Sequence, residues 1–229
     1  MKLKLAAVCS ATLLAFAAAS APAFAGMMNW NFLTLAGNPA QPGASLMGTS
    51  YTFTQGSMSL TANSMTLSGS SWVMGTADLY AKNGGTVDED GLGLTGDPSG
   101  AHEIYYPNGI ELTGFSGHIS DVMIGSLQGT ASNGESWAVF GSNDGTAWTE
   151  LGSGMGGLTE NFNSASLMGY SDLIITDPSA TPYLNSNDIV LMGVTTTTVP
   201  EPGTLALFGA ALLGCALFIS RRRRRVRQD

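Results

Sequence analysis

Between Gly26 and Val199, apolar residues recur at every second position and then break off, without settling into helical spacing. Met58, Leu60 and Ala62 alternate with Ser57, Ser59 and Thr61, and Met65 and Leu67 resume the pattern beyond Asn63-Ser64. Ser71 to Tyr80 is a longer run with Trp72, Met74, Leu79 and Tyr80. Ile110 and Leu112 follow the turn-like Pro107-Asn108-Gly109. Ile119 to Leu127, Trp137 to Phe140, Leu173 to Thr176 and Ile189 to Val194 complete the set. A period of two places the apolar side chains on one face of a pleated strand. Gly, Asn, Asp and Pro punctuate the runs, as turns require. Roughly eight or nine short strands so spaced predict an all-β fold, a single antiparallel β-sandwich or jelly roll. No repeat of fixed period is present, which argues against a solenoid.

The clearest hairpin lies in Val139 to Leu151, where Asp144-Gly145 supplies the turn and Trp148 can pack back on the sheet. The string Ser142-Asn143-Asp144-Gly145-Thr146-Ala147-Trp148 resembles a strand pair of discoidin-like, galactose-binding-type jelly rolls. That likeness covers about 13 residues of a fold element and implies a jelly roll over other sandwiches.

Charge is unevenly distributed. The chain has 229 residues, with 9 Lys and Arg against 17 Asp and Glu. Lys2, Lys4 and six arginines lie at the two ends, so Lys82 stands alone against 15 acids between Gly26 and Val199. A surface near −14 repels phosphate backbones and excludes nucleic acid as a partner. It suits solubility first and divalent cations second. Cys9 and Cys215 both lie in the end segments, so the middle has no disulfide.

The ends read as processing segments. Lys2 and Lys4 precede Leu5 to Ala19, which is uncharged. Ala23-Phe24-Ala25 then sets up signal-peptidase cleavage between Ala25 and Gly26. The expected organisation is a signal peptide over 1–25 and a β-sandwich ectodomain over 26–194. A Thr-rich linker with a Pro-Glu-Pro motif over 195–203, a transmembrane helix over 204–220 and a cytoplasmic tail over 221–229 follow. Pro200 and Pro202 lack amide hydrogens and keep the chain extended around Glu201. Thr204 to Ser220 is uncharged and as a helix spans roughly 25 Å, the short limit for a bilayer. Arg221, Arg222, Arg223, Arg224 and Arg225 follow at once and fix that end in the cytoplasm.

The order Val199-Pro200-Glu201-Pro202, apolar helix, arginine block resembles the PEP-CTERM sorting signal, the substrate signal of exosortases. The resemblance covers Val199 to Arg227. It implies an exporting Gram-negative bacterium that makes exopolysaccharide. It also implies a single-pass inner-membrane precursor with a periplasmic ectodomain, and then display or release at the cell surface. On this reading the chain is a substrate of the exosortase and not itself an enzyme. Leu79 to Glu111, with its acidic, glycine-rich loop before Glu103-Ile104, is similar to a segment of many PEP-CTERM ectodomains.

Candidate chemistry in the domain is sparse. Asp88, Asp90, Asp97 and Glu103 are dense in acid. A folded loop gathering them would call for Ca²⁺, whereas a solvated loop would need no cofactor at all. The spacing is not that of an EF-hand. His102 and His118 have neither a cysteine partner nor a zincin spacing. No nucleophile elbow and no phosphate-binding loop with a lysine is present, so no catalytic residue is assigned. Tryptophans are expected mainly in the core. Tyr105 and Tyr106, beside Pro107, are the expected exposed aromatics and the candidate glycan contact, which leaves a carbohydrate-binding jelly roll as the alternative function and a glycan-active enzyme as a distant third.

Overall fold

Alternating sequence becomes alternating burial. The computed structural model describes residues 26–32, 45–83, 87–98, 100–115, 117–128, 134–178 and 188–197. Among them the chain forms β1 (Met27–Asn31), β2 (Ser45–Leu46), β3 (Ser50–Gln55), β4 (Met58–Ser68), β5 (Ser71–Met74), β6 (Leu79–Asn83), β7 (Asp90–Leu94) and β8 (Ile104–Tyr105). It continues through β9 (Asn108–Thr113), β10 (His118–Gly125), β11 (Ser136–Ser142), β12 (Thr149–Met155), β13 (Thr159–Phe162), β14 (Asp172–Thr176) and β15 (Asp188–Thr197). Two short 3₁₀ turns, η1 (Val87–Glu89) and η2 (Ala165–Gly169), interrupt the strands. Met27–Thr197 form one compact unit.

The strands make two antiparallel sheets. Sheet A runs β13-β10-β15-β7-β6-β2, with β1 and β8 also paired to β15. Sheet B runs β12-β11-β14-β9-β4-β3, with β5 also paired to β4. A single apolar core joins them, with Leu79, Leu92, Ile119 and Leu191 from sheet A against Leu60, Leu112, Val139 and Ile175 from sheet B, each with essentially no exposure. From β9 onward the chain crosses between the sheets at nearly every connection, as a jelly-roll-type sandwich does. Trp30 and Trp137 lie in the core. The Trp30 indole donates to Thr196 Oγ1 at 2.9 Å, so the buried N–H is satisfied.

Several boundaries differ from those read in the sequence. Asn63-Ser64 does not interrupt a strand. β4 runs straight through it because Asn63 faces outward to Glu111 and the small Ser64 fits beneath Gly75. Ser71 to Tyr80 divides into β5 and β6, which belong to different sheets. Asn108-Gly109 opens β9 instead of forming a turn. Thr195 to Thr197, expected in the linker, continue β15 and pair with both β10 and β1. β-Branched threonine suits a strand flanked on both edges. The signal segment 1–25, the chain from Thr198 through the Pro-Glu-Pro motif, the apolar span 204–220 and the arginine tail lie outside the described residues. Among the described residues no helix is long and apolar enough to cross a membrane.

The Asp144-Gly145 turn does join β11 to β12. Asp144 accepts from the amides of Ala147 at 2.8 Å and Thr146 at 2.9 Å, which hold its carboxyl well below the usual range. Trp148 is half-buried against this end.

The Gly91-Leu92-Gly93-Leu94 run of β7 explains how the next layer is laid down. Leu92 and Leu94 enter the core, so Gly91 and Gly93 face the other side. A Cβ on Gly93 would lie 1.9 Å from the His102 carbonyl oxygen, and one on Gly91 would lie 2.5 Å from that of Leu191. Other segments of backbone therefore press directly onto these glycines. Gly93→Ala is expected to cost about 3 kcal/mol or more in urea denaturation, because backbone must move. Gly169→Ala, with nothing within 4 Å, should stay within about 0.5 kcal/mol of wild type.

Candidate functional site

The excursion that crosses Gly93 builds a dense cluster of charged side chains. Tyr80 and Lys82 of β6 stand opposite Gly93 and Gly91 of β7, on the face away from the core. The chain leaves β7, turns at Asp97 and Gly100, and returns over Gly93 with His102 and Glu103. The turn is held by Asp97, whose carbonyl accepts from Gly100 N at 3.0 Å and whose Oδ2 accepts from Ala101 N at 2.9 Å. His102 stacks on Tyr80 with ring centroids 4.0 Å apart. Glu103 then meets Lys82.

Lys82 is ion-paired to both Glu89 and Glu103. Glu89 arrives on η1, which packs on Gly125: Ser126 N donates to Asp88 O at 2.7 Å. Ser126 Oγ lies 2.8 Å from Glu103 Oε1 and 3.0 Å from Glu89 Oε1, and its single proton is shared between the two carboxyls. Burial alone would pull the Lys82 ammonium down, but the hydrogen bonds it donates to Glu103 and Glu89, with their charges, outweigh that and hold its pKa above the ordinary value. For Glu89 the sum also favours the charged form. Burial raises its pKa, and Lys82 more than reverses that.

One lysine does not balance what surrounds it. Asp97, Glu103 and Asp188 are all buried and bring carboxylate oxygens within 4.8 Å of one another. Asp188 reaches this point because β8 pairs with the start of β15, Tyr105 opposite Asp188. Glu135 is close enough to feel both Glu103 and Asp188, and its Oε2 accepts from Gln128 N at 2.5 Å. Burial pushes Glu103 up to about 6 despite Lys82. It pushes Glu135 up to about 8, with the Glu103 and Asp188 charges adding to the effect. The arrangement retains protons where a carboxylate in water would have lost them. A hard cation would relieve the same charge, and Ca²⁺ accepts oxygen ligands of this kind.

Of the four acids proposed from sequence as Ca²⁺ ligands, the structure brings together Asp97 and Glu103 and joins Asp188 to them. Asp88 and Asp90 are not in that group: Asp88 supports Ser126 through its carbonyl, and Asp90 begins β7 opposite Asn83. Tyr105 is half-buried beside the acids, where burial and the Asp97 charge raise its phenol, and its side chain bonds to that of Asn108. Its role is in this cluster. Tyr106 is exposed, as expected of a loop aromatic. His102 and His118 stand on separate elements, the loop before β8 and β10. Sequence spacing missed Glu135, Ser126 and Asp188, which lie 32, 23 and 85 positions beyond Glu103. The signal that could have flagged the site was Lys82 itself, one cation in an acidic domain.

Residues 198–225 match the family model for the PEP-CTERM protein-sorting motif. This match includes Val199, Pro200, Glu201, Pro202 and Arg221 to Arg225. The chain therefore carries the signal of an exported protein that an exosortase processes at the membrane on its way to the cell surface. No curated protein and no solved structure matches the chain, so nothing from them supports the likeness of the Asp144 hairpin to discoidin-like folds.

The site makes stability depend on pH in a defined direction. Glu103 and Glu135 bind protons more tightly folded than unfolded, so the native state holds the extra protons and stability falls as pH rises. The loss runs from about 4.5 to about 6 for Glu103 and on to about 8 for Glu135. With chelator present, the urea midpoint should fall between pH 5 and pH 8. Glu135→Gln, which keeps an acceptor for Gln128, should flatten the upper part of that fall. Lys82→Met strands Glu89 and Glu103 and should cost about 3–5 kcal/mol at pH 7.

Proposed function

We propose that the β-sandwich is a non-catalytic surface module, exported and then displayed or released by exosortase processing, which acts among exopolysaccharide by its presence there. The match over residues 198–225 carries this reading. Signal peptidase would remove 1–25. The 204–220 span and Arg221 to Arg225 would hold the precursor in the inner membrane of a Gram-negative cell with its ectodomain in the periplasm. The exosortase would then act at Pro200-Glu201-Pro202. A non-catalytic role is supported by how the titratable groups are spent. Glu103 is tied to Lys82 and Ser126, Asp97 to its own turn, and Glu135 to Gln128.

A second reading, that the domain binds a divalent cation, is favoured by the three buried carboxylates within 4.8 Å. Ca²⁺ held by Asp97, Glu103 and Asp188 would tie the 95–103 excursion to the start of β15. Extracellular modules commonly bind Ca²⁺ with Kd of roughly 10⁻⁴–10⁻³ M. The metal would make no bond-breaking chemistry necessary. Its role would be to close the fold in a calcium-containing medium.

Two measurements check these readings. Replacing Pro200, Glu201 and Pro202 by alanine should make an unprocessed, membrane-held form accumulate on fractionation. Release of that variant at the wild-type level would overturn the sorting role. Adding about 5 mM Ca²⁺ to the purified full chain should stabilise it by roughly 1–2 kcal/mol, read as a rise in Tm of several degrees. Asp188→Asn should abolish the rise, and an unchanged Tm in wild type would reject the cation.

A further inference from the structure

The outer face of sheet B carries a feature that sorting does not use. Ala62, Leu112 and Leu173 point into the core, so their neighbours Asn63, Glu111 and Ile174 point outward. These three stand side by side on β4, β9 and β14, with Phe140 of β11 next in the row. Met65 and Leu67 share that face, and Trp72 of β5 stands opposite Leu67. The indole crosses β9 in the space that Gly109 leaves. A Cβ there would lie 3.2 Å from Trp72 Cζ3 and 3.0 Å from Ile174 Cγ2. Trp72 and Phe140 have ring centroids 6.3 Å apart, and both are half-buried above a fully buried Ile174.

Polar groups border this aromatic pad in an ordered row. Ser50 Oγ donates to Asn63 Oδ1 at 2.6 Å, and Asn63 Nδ2 donates to Glu111 Oε2 at 2.8 Å. One row along, Thr52 and Thr61 hydroxyls lie 2.9 Å apart and Thr113 donates to Asp172. Aromatic rings flanked by fixed hydroxyl, amide and carboxylate groups match the two-sided chemistry of a sugar. Its C–H face stacks on the ring and its hydroxyls bridge to the polar row. Charge narrows the class. The charged side chains along these rows, Glu111, Asp172 and Glu150 opposite Phe140, are all acids, and the segment around them is near −14. Uronate- or sulfate-bearing chains are repelled, and neutral ones are not.

We infer that the outer face of sheet B, centred on Trp72 and Phe140 with Asn63 and Glu111 alongside, binds a neutral polysaccharide chain. The inference rests on the proposed display among exopolysaccharide and names the surface that would make the contact. Trp72 is the stacking platform, Phe140 extends it, and the Asn63–Glu111 pair orients the hydroxyls.

Native affinity electrophoresis of the full chain in mild detergent tests it, with gels containing dextran, a β-1,3-glucan, galactomannan or alginate. At least one neutral polysaccharide should retard migration and alginate should not. Trp72→Ala should weaken the retardation at least tenfold, Phe140→Ala should weaken it severalfold, and Trp72→Phe should keep most of it. Met27→Ala, on exposed β1 of sheet A, should leave it unchanged. A thermal melt of each variant separates lost binding from lost fold, and Trp72→Phe serves if Trp72→Ala unfolds. The inference is overturned if no neutral gel retards the protein, if alginate retards it most, or if a folded Trp72 variant without a ring binds as wild type. Retention of the wild-type shift by the Pro200, Glu201 and Pro202 alanine variant would show that binding stands apart from sorting. A protein captured on the same face in place of glycan would likewise overturn it.

Discussion

The Lys82 ammonium, gripped between Glu89 and Glu103, is the contact on which the outer layer of sheet A depends. It is the one basic side chain between Gly26 and Val199, and it is buried. Three separate pieces of chain converge on it or its partners: η1 with Glu89, the 95–103 excursion with Glu103, and the end of β10 with Ser126. None of these pieces has an apolar face broad enough to pack by itself. Electrostatic attraction in a poorly hydrated place substitutes for apolar burial, and Gly93 makes room for the chain that brings Glu103.

That solution leaves an excess of negative charge. Asp97, Asp188 and Glu135 gather around the ion pairs. The local answer is proton retention, seen in the raised carboxyls of Glu103 and Glu135. Burying acids this way makes the domain responsive to the protons its medium supplies and, on the proposed cation reading, to divalent ions. A cytoplasmic protein would meet little free calcium, whereas one sent outward by its tail meets the medium directly.

Much of the architecture was legible because strand periodicity is local. A two-residue alternation and a Gly or Asn break are enough to place β9, β10, β11, β14 and most of β15, and Asp144-Gly145 specified its hairpin. Misreadings came where tertiary context overrode a turn signal. Asn63-Ser64 and Asn108-Gly109 look like turns, yet both sit in strands flanked by neighbours on each edge, where ladder pairing outweighs local preference. The acidic site was half legible for the same reason. Asp97 and Glu103 are near in sequence, but Asp188 and Glu135 join them only through strand pairing and core closure, which no local window contains. Acid density alone pointed to Asp88 and Asp90 as well, and the structure leaves both outside the group of Asp97, Glu103 and Asp188. The tail was legible because its chemistry is linear: stiff prolines, an apolar run and guanidinium charges in order.

The extension of β15 to Thr197 also bears on how the molecule tolerates being tethered. Thr197 is directly opposite Met27, so the first strand begins where the last one finishes, and β15 is hydrogen-bonded along both edges there. The hexapeptide from Thr198 to Gly203 is all that separates this doubly bonded strand from the apolar span. Tension on the leash would load many ladder bonds together in shear, along the strand, instead of unzipping them singly. A domain fastened in this manner resists being peeled open from the end that carries the sorting motif while it is held at the membrane for processing.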